Sequence, residues 1–263
     1  MRLDVYLSTI LSMSREKARR MIYCGDVTVD KRTVLKPAYE VIGDPNVEIK
    51  PALRYVGRGG YKLEAALNSF GIDLNGKVCL DVGASTGGFT DCMLRAGALK
   101  VFAVENGNGQ LDASLLADKR VTSLENTDIR DEELLTSLPP AGFSAVDVSF
   151  ISLKQVLSHV SRLTLPSCDI VCLIKPQFEA GREHVGKNGV VRDPKTHSRV
   201  LSDIVSYVKQ LDLSPVDLIF SPIRGGTGNI EYLIRIKNHS SDASFDAPIA
   251  ETVKLAFDFF RKD

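Results

Sequence analysis

Apolar positions in this chain follow two different rhythms. Leu3, Leu7, Ile10 and Leu11 share one helical face. Ser14 fits the N-cap of a second helix, with Ala18, Met21 and Ile22 inward and Arg15, Lys17, Arg19 and Arg20 outward. Val27-x-Val29 and Val47-x-Ile49 alternate as short strands, with a turn at Asp30-Lys31. This α-α-β-β unit ends near Lys50. Residues 51–59 read as a linker, and the Gly59-Gly60 pair releases a helix over Tyr61 to Phe70. From there apolar runs at Val78–Val82, Lys100–Val104, Val121–Leu124, Phe143–Val148 and Asp169–Ile174 alternate with helical stretches, the pattern of a parallel doubly wound sheet. A helix from about Thr196 to Leu211 precedes runs at Leu213–Phe220 and Tyr232–Ile236, and Ile249 to Phe260 forms a last helix. The expected division is 1–50, a linker over 51–59, and 60–263.

The first run of the second segment breaks at Asp81-Val82-Gly83-Ala84-Ser85-Thr86-Gly87-Gly88, and a helix starts at Phe89. Strand, tight turn and helix N-terminus form the place where an α/β sheet grips a cofactor. The spacing is not G-x-G-x-x-G, because Ser85 stands at its second glycine, and no Gly-Lys-Ser/Thr follows. A carboxylate beside a bare glycine turn suits S-adenosylmethionine (SAM), which carries no phosphate. Asp81, Gly83, Ser85, Thr86, Gly87 and Gly88 are expected to cradle its methionine end. Glu105, 22 positions beyond Gly83 and at the end of the next strand, is expected on the ribose hydroxyls, where an aspartate is more usual. Asp128, after the third strand, is placed to accept from the adenine amino group. The fold class is therefore α/β, a Rossmann-like SAM-dependent methyltransferase with a seven-stranded sheet, preceded by a small α+β domain.

Composition narrows the setting. At 263 residues, 44% hydrophobic and 25% charged, the chain suits one α/β domain with a small extra module. Its longest apolar run, around Ile170 to Ile174, is far short of the ~20 residues that span a bilayer. Arg2, Asp4 and Arg15 interrupt any secretory segment, and the five cysteines include no C-x-x-C pair, so a reduced, cytoplasmic protein is expected. The four histidines lack metal-ligand spacing, and no metal is expected. A net charge of zero conceals an asymmetry. Residues 1–62 hold 12 Lys and Arg against 7 Asp and Glu, which points to a polyanion partner for the head.

Polar residues mark the strand ends that face the crevice: Asp147 after the fourth, Lys175 after the fifth, Glu231 before the last, and Lys62 near the start of the preceding helix. Pro176 stops the fifth strand at once, so Lys175 is expected to point into the crevice. Phe89 and Phe150 read as packing residues, and Gly181 to Asp193 as a mobile loop that closes over RNA. No Asp/Asn-Pro-Pro-Tyr/Phe follows the fourth strand, against an amino acceptor, and no cysteine follows a proline, against carbon-5 of cytosine.

The N-terminal unit resembles the S4 RNA-binding domain in its opening Arg2-Leu3-Asp4, its Ser14-Arg15 helix start and its Gly25-x-Val27-x-Val29-Asp30 strand. Such domains lay a basic helix and hairpin on structured RNA, which here implies Arg2, Arg15, Lys17, Arg19, Arg20, Lys31 and Arg32 as RNA contacts. Arg58-Gly59-Gly60-Tyr61-Lys62-Leu63, the glycine turn, Asp147-Val148-Ser149-Phe150-Ile151-Ser152-Leu153, Lys175-Pro176-Gln177-Phe178-Glu179 and Gly228-Asn229-Ile230-Glu231-Tyr232 together resemble the TlyA (hemolysin A) family over nearly the whole chain. That resemblance implies an S4 domain joined to an FtsJ-like methyltransferase that modifies cytidine ribose 2′-hydroxyls in ribosomal RNA. It also implies a Lys62, Asp147, Lys175, Glu231 catalytic tetrad and a ribosomal subunit as partner. Starting directly at the S4 unit, the chain resembles the shorter members, associated with large-subunit rRNA. A non-catalytic ribosome-assembly factor and a membrane-lytic protein are the competing readings. Oligomeric state is not legible.

Overall fold

The computed structural model describes residues 1–23, 26–34, 36–43, 45–49, 54–239, 245 and 247–261, with Glu16, Lys17, Arg20 and Tyr23 as backbone only. Gly25, the linker positions 51–53 and the side chains of Lys17 and Arg20 therefore lie outside the described residues. The chain divides into two compact units, Met1–Arg58 and Gly59–Asp263.

The first unit carries α1 (Leu3–Ile10), α2 (Arg15–Tyr23), β1 (Val27–Val29), β2 (Arg32–Thr33) and β3 (Val47–Ile49). Its strands form an antiparallel sheet in the order β2-β1-β3. Leu3, Leu7, Ala18, Ile22, Val27 and Val29 close a small core. Ile10 and Leu11, expected on the inner face, are 50% and 38% exposed, because α1 ends at Ile10 and its last turn runs past that core. Met21 is only half-buried.

The second unit is α/β. It runs α3 (Gly59–Phe70), β4 (Val78–Val82), α4 (Gly88–Arg95), β5 (Lys100–Val104), α5 (Ala113–Leu116), β6 (Val121–Leu124), α6 (Leu134–Ser137), β7 (Ala141–Val146), α7 (Leu157–Arg162), β8 (Thr164–Ile174), α8 (Pro176–Glu179), α9 (Pro194–Gln210), β9 (Ser214–Phe220), β10 (Tyr232–Lys237) and α10 (Ile249–Phe260). Its seven strands are ordered β6-β5-β4-β7-β8-β10-β9. The first five are mutually parallel, and β10 enters antiparallel between β8 and β9.

Order reverses at β4, which has β5 on one side and β7 on the other, so the crevice of an open sheet opens beyond the C-terminal ends of β4 and β7. Because β10 is reversed, Tyr232 pairs with Ile174, and the residue before β10 reaches the same edge as the residue after β8. Apolar runs at β4, β5, β7 and β8 are continuous because both sheet faces are covered. The main core gathers Val82, Val146, Ile170 and Ile174 with Leu201 and Ile204 of α9 and Ala256 of α10. Among the described residues, no helix is long and apolar enough to cross a membrane.

Candidate active site

The glycine turn is built by conflict with side chains. At Gly83 φ is +83°, and a Cβ would lie 2.6 Å from the Asp147 carbonyl oxygen. Only a bare Cα lets β4 and β7 converge there. Gly87 has φ +94° and a Cβ would strike Leu111 and Leu115, so the second glycine is also required. Ser85 takes the left-handed region at φ +48° and donates its N–H to Glu105 Oε2 at 2.9 Å. The other Glu105 oxygen accepts from Gly107 N–H at 2.7 Å, so this carboxylate braces both loops of the crevice.

Asp81 is fully buried at the base of the turn. Thr90 donates its hydroxyl to Asp81 Oδ2 at 2.6 Å, while Oδ1 has no hydrogen-bond partner among the described residues. Burial raises its pKa to about 7. An orphaned buried acceptor beside a bare glycine turn fits a ligand that brings an ammonium group, as the methionine end of SAM does. Asp128 stands otherwise. Arg130 grips it in a fork of 2.9 and 2.6 Å and holds its carboxyl down at about 2. The Arg130 backbone N–H also donates to Oδ1 at 2.9 Å, so Oδ2 keeps the lone pair that could take an adenine amino group.

Four charged side chains meet the same edge as two ion pairs. Lys62 Nζ lies 2.6 Å from Glu231 Oε2, both side chains at least nine-tenths buried and 169 positions apart in sequence. A Cβ at Gly225 would overlap the Glu231 carboxylate, so that turn leaves room for it. Lys175, the N-cap of α8, has Pro176 at the first helical position. Its Nζ is 2.7 Å from Asp147 Oδ1, but the angle does not make a hydrogen bond there. The ammonium instead donates to Ser149 Oγ at 2.7 Å. Gly59, at the start of α3, would place a Cβ 3.8 Å from Asp147 Oδ2, so the helix that bears Lys62 begins beside the second pair.

Sequence reading gave Ser149 no separate role, although it stands in the Asp147-Val148-Ser149-Phe150 stretch. Phe150 corrects an expectation. It is not a packing residue but stands 91% exposed at φ +64°, its ring 5.2 Å from that of Phe178. The left-handed backbone turns the side chain out of the core. Phe89 does pack, at 3% exposure. Gly181 to Asp193, expected as a mobile loop, is an anchored strap. Gly186 N–H donates to Val190 O, Val191 N–H to Asn229 Oδ1, and Asn229 Nδ2 to Gly189 O. Asn229, two residues before Glu231 and fully buried, is the residue that position alone did not reveal.

In the first unit the expected RNA contacts are organised by an acid. Arg2, Arg15 and Arg19 each bring Nε to within 3.0 Å of Asp4, whose side chain is fully buried while theirs stay about half exposed. Hydrogen bonding from Arg2 leads the effects that hold the Asp4 carboxyl far below the usual range. Lys31, at φ +65°, and Arg32 are exposed on the hairpin. Among the described residues no cluster of His, Cys, Asp and Glu could hold a metal.

This geometry agrees with kinship. The FtsJ-like methyltransferase family matches residues 55–238, and the S4 domain matches residues 1–43. The chain belongs to the FtsJ-like methyltransferase family. Hemolysin A of Brachyspira hyodysenteriae is 40% identical over 237 residues, covering 89% of this chain and 98% of that one. The 16S/23S rRNA (cytidine-2′-O)-methyltransferase TlyA of Mycobacterium tuberculosis is 38% identical over 238 residues, 89% of this chain and 88% of its own. A solved structure from Streptococcus thermophilus, described as a candidate hemolysin, superposes with a TM-score of 0.79 at 38% identity, over 100% of this chain and 97% of that one. As in other open α/β sheets, the crevice of this FtsJ-like methyltransferase lies beyond the C-terminal ends of the strands at the point where their order reverses.

Proposed function

We propose that this protein methylates a ribose 2′-hydroxyl of cytidine in ribosomal RNA, using SAM, in the cytoplasm where that RNA is found. The observation that carries the reading is the meeting of two Lys–carboxylate pairs, one buried and one partly buried, at the sheet edge that also holds the orphaned Asp81 oxygen.

In this reading Asp81 and the turn from Gly83 to Gly88 hold the methionine end, Glu105 the ribose and Asp128 the adenine. Bound there, SAM supplies a sulfonium methyl that is already electrophilic. The chain's own task is alignment of the nucleophile, which accounts for most of the rate. Lys175 Nζ, fixed by Asp147 and Ser149, orients the 2′-hydroxyl so that a lone pair faces the methyl. As the O–CH3 bond forms and the S–CH3 bond breaks, the hydroxyl proton passes late to the neighbouring Asp147 carboxylate. Lys62, held by Glu231, fixes the target ribose or its phosphate. The S4 unit docks the RNA through the half-exposed guanidiniums of Arg2, Arg15 and Arg19 that Asp4 gathers, with Lys31 and Arg32 adding phosphate contacts. A single left-handed phenylalanine, Phe150, offers its face to an unstacked base beside the reacting ribose.

Transfer of labelled methyl from SAM to separated ribosomal subunits and to naked rRNA, followed by mapping, tests this. A 2′-O-methylcytidine that disappears in Lys175→Ala supports the reading. Transfer that survives Lys175→Ala, or a methyl on a base, overturns it. Large-subunit rRNA is the favoured substrate, and the mapping identifies it.

A further inference from the structure

A second cavity, of about 520 Å³, opens on the C-terminal side of the sheet edge, between the strap, the turn before Glu231 and the end of α10. Arg192, Arg224 and Arg261 line it, with Phe257 and Phe260 as its apolar wall, and among the described residues no acidic side chain lines it. Three guanidiniums around an aromatic wall suit a ligand with both an anionic and a flat apolar part.

Its parts are fixed to different degrees. Arg224 is committed to the fold: it donates to Gly228 O and Phe260 O at 3.1 and 2.8 Å, with its guanidinium 4.8 Å over the Phe260 ring. Arg261 lies 3.7 Å from Asp258, too far for a hydrogen bond. Arg192 is exposed, and its side chain has no partner among the described residues. The strap that carries it is nonetheless held in place. Asn229 grips the strap through Val191 N–H at 3.0 Å and Gly189 O at 2.7 Å, and buried His197 bridges Val191 O to the Tyr232 hydroxyl. Asn229 and Tyr232 flank Glu231. The cavity floor and the Lys62–Glu231 pair are therefore parts of one turn.

We propose that this cavity is a nucleotide subsite. It takes a phosphate on Arg192 and Arg261, and the attached ribose and base against Phe257, from the RNA strand beside the target nucleotide. The assignment deepens the reading of an RNA substrate and rests on it for the identity of the strand. An RNA substrate must be held on both sides of the reacting ribose, and Asn229 couples occupation of the cavity to the position of Glu231.

Arg192→Glu in this chain tests the subsite, because that exposed side chain has no partner among the described residues. Affinity for an rRNA fragment is measured across a salt series, alongside thermal melting and SAM binding. The expected result is RNA affinity lowered about tenfold, from loss of one charge-assisted contact. The slope of log affinity against log salt should become shallower by roughly 0.7 to 0.9. Melting and SAM affinity should not move. Unchanged RNA affinity and slope would overturn the proposal. Cytidine monophosphate is titrated in parallel: saturable binding lost in Arg192→Glu, with RNA affinity intact, would mean a free nucleotide and overturn the RNA assignment. If wild type methylates rRNA while Arg192→Glu binds it normally, the subsite fails and the methyltransferase reading stands. If wild type methylates no rRNA while Arg192→Glu still binds it more weakly, the reverse holds.

Discussion

Gly83 lies so close to the main chain of Asp147 that a methyl group cannot be inserted between them. Asp147 N–H in turn donates to Val82 O at 2.8 Å, so the glycine turn and the loop after β7 share one contact. Gly83→Ala has to meet both that overlap and a φ of +83°, a conformation that costs an L-residue about 1–2 kcal/mol before any clash. We expect a melting temperature lower by several degrees and SAM binding lost by calorimetry. A variant that melts and binds as wild type would show that the turn tolerates a side chain.

Lys62 and Glu231 are both buried, so removing one leaves the other uncompensated. Glu231→Gln should cost about 3 kcal/mol, roughly 6–12 °C of melting temperature for a domain of this size. The double variant Lys62→Met/Glu231→Leu should regain most of that stability, yet transfer no methyl groups. Activity in the double variant would reduce the pair to a structural role.

Asp81 links the cofactor site to pH. Its pKa in the folded protein, about 7, lies above the ordinary 3.8. The ligand-free folded state therefore holds a proton that the unfolded state has released, and stability falls as pH rises from about 4 to 7, then levels off. Asp81→Asn should flatten that decline in melting scans. An ammonium at Oδ1 needs the carboxylate, so SAM affinity should rise toward pH 7, with proton release seen in calorimetry at pH 6. No proton release would separate Asp81 from the ligand.

Phe150 pays backbone strain for exposure. Phe150→Gly relieves the left-handed conformation and removes the ring. We expect unchanged or higher melting temperature, while KM for RNA rises, base stacking on an aromatic ring being worth about 1–3 kcal/mol. SAM binding should be unaffected. An unchanged KM would mean that the ring meets no base.

Asp4 acts oppositely in the first unit. Its carboxyl is depressed by Arg2, Arg15 and Arg19, so the stability it contributes is present above about pH 4 and lost as pH falls through that range. Asp4→Asn should lower stability at neutral pH and weaken RNA binding although it adds positive charge. Stronger RNA binding would show that charge, not placement, governs docking.

How much of this was legible beforehand depended on the kind of signal. Lys175 could be located because a buried apolar run met Pro176, and the parallel sheet followed from alternating runs. The turn was legible because Gly83 and Gly87 answer to steric contacts. Phe150 was misread because apolar character does not report backbone handedness. Ile10 and Leu11 were misplaced because periodicity does not show where a small core ends. The α9 start at Pro194, capped by Asp193 through Lys195 and Thr196 N–H, lies two residues before the expected one, a signal present in Asp193-Pro194 but unused. Asn229 was hidden because its partners, Gly189 and Val191, are far away in sequence.

The reversed strand also sets a timetable. β9 pairs only with β10 among the named strands, and β10 takes a place between β9 and the much earlier β8. During synthesis β4 to β8 can assemble in order of emergence, but β9 has no partner until residue 237 has left the ribosome. The two then enter as a hairpin and bring Glu231 to Lys62. A chain that stops early can therefore fold its glycine turn but never form the Lys62–Glu231 pair, and under the proposed roles an unfinished product would be silent rather than partly active.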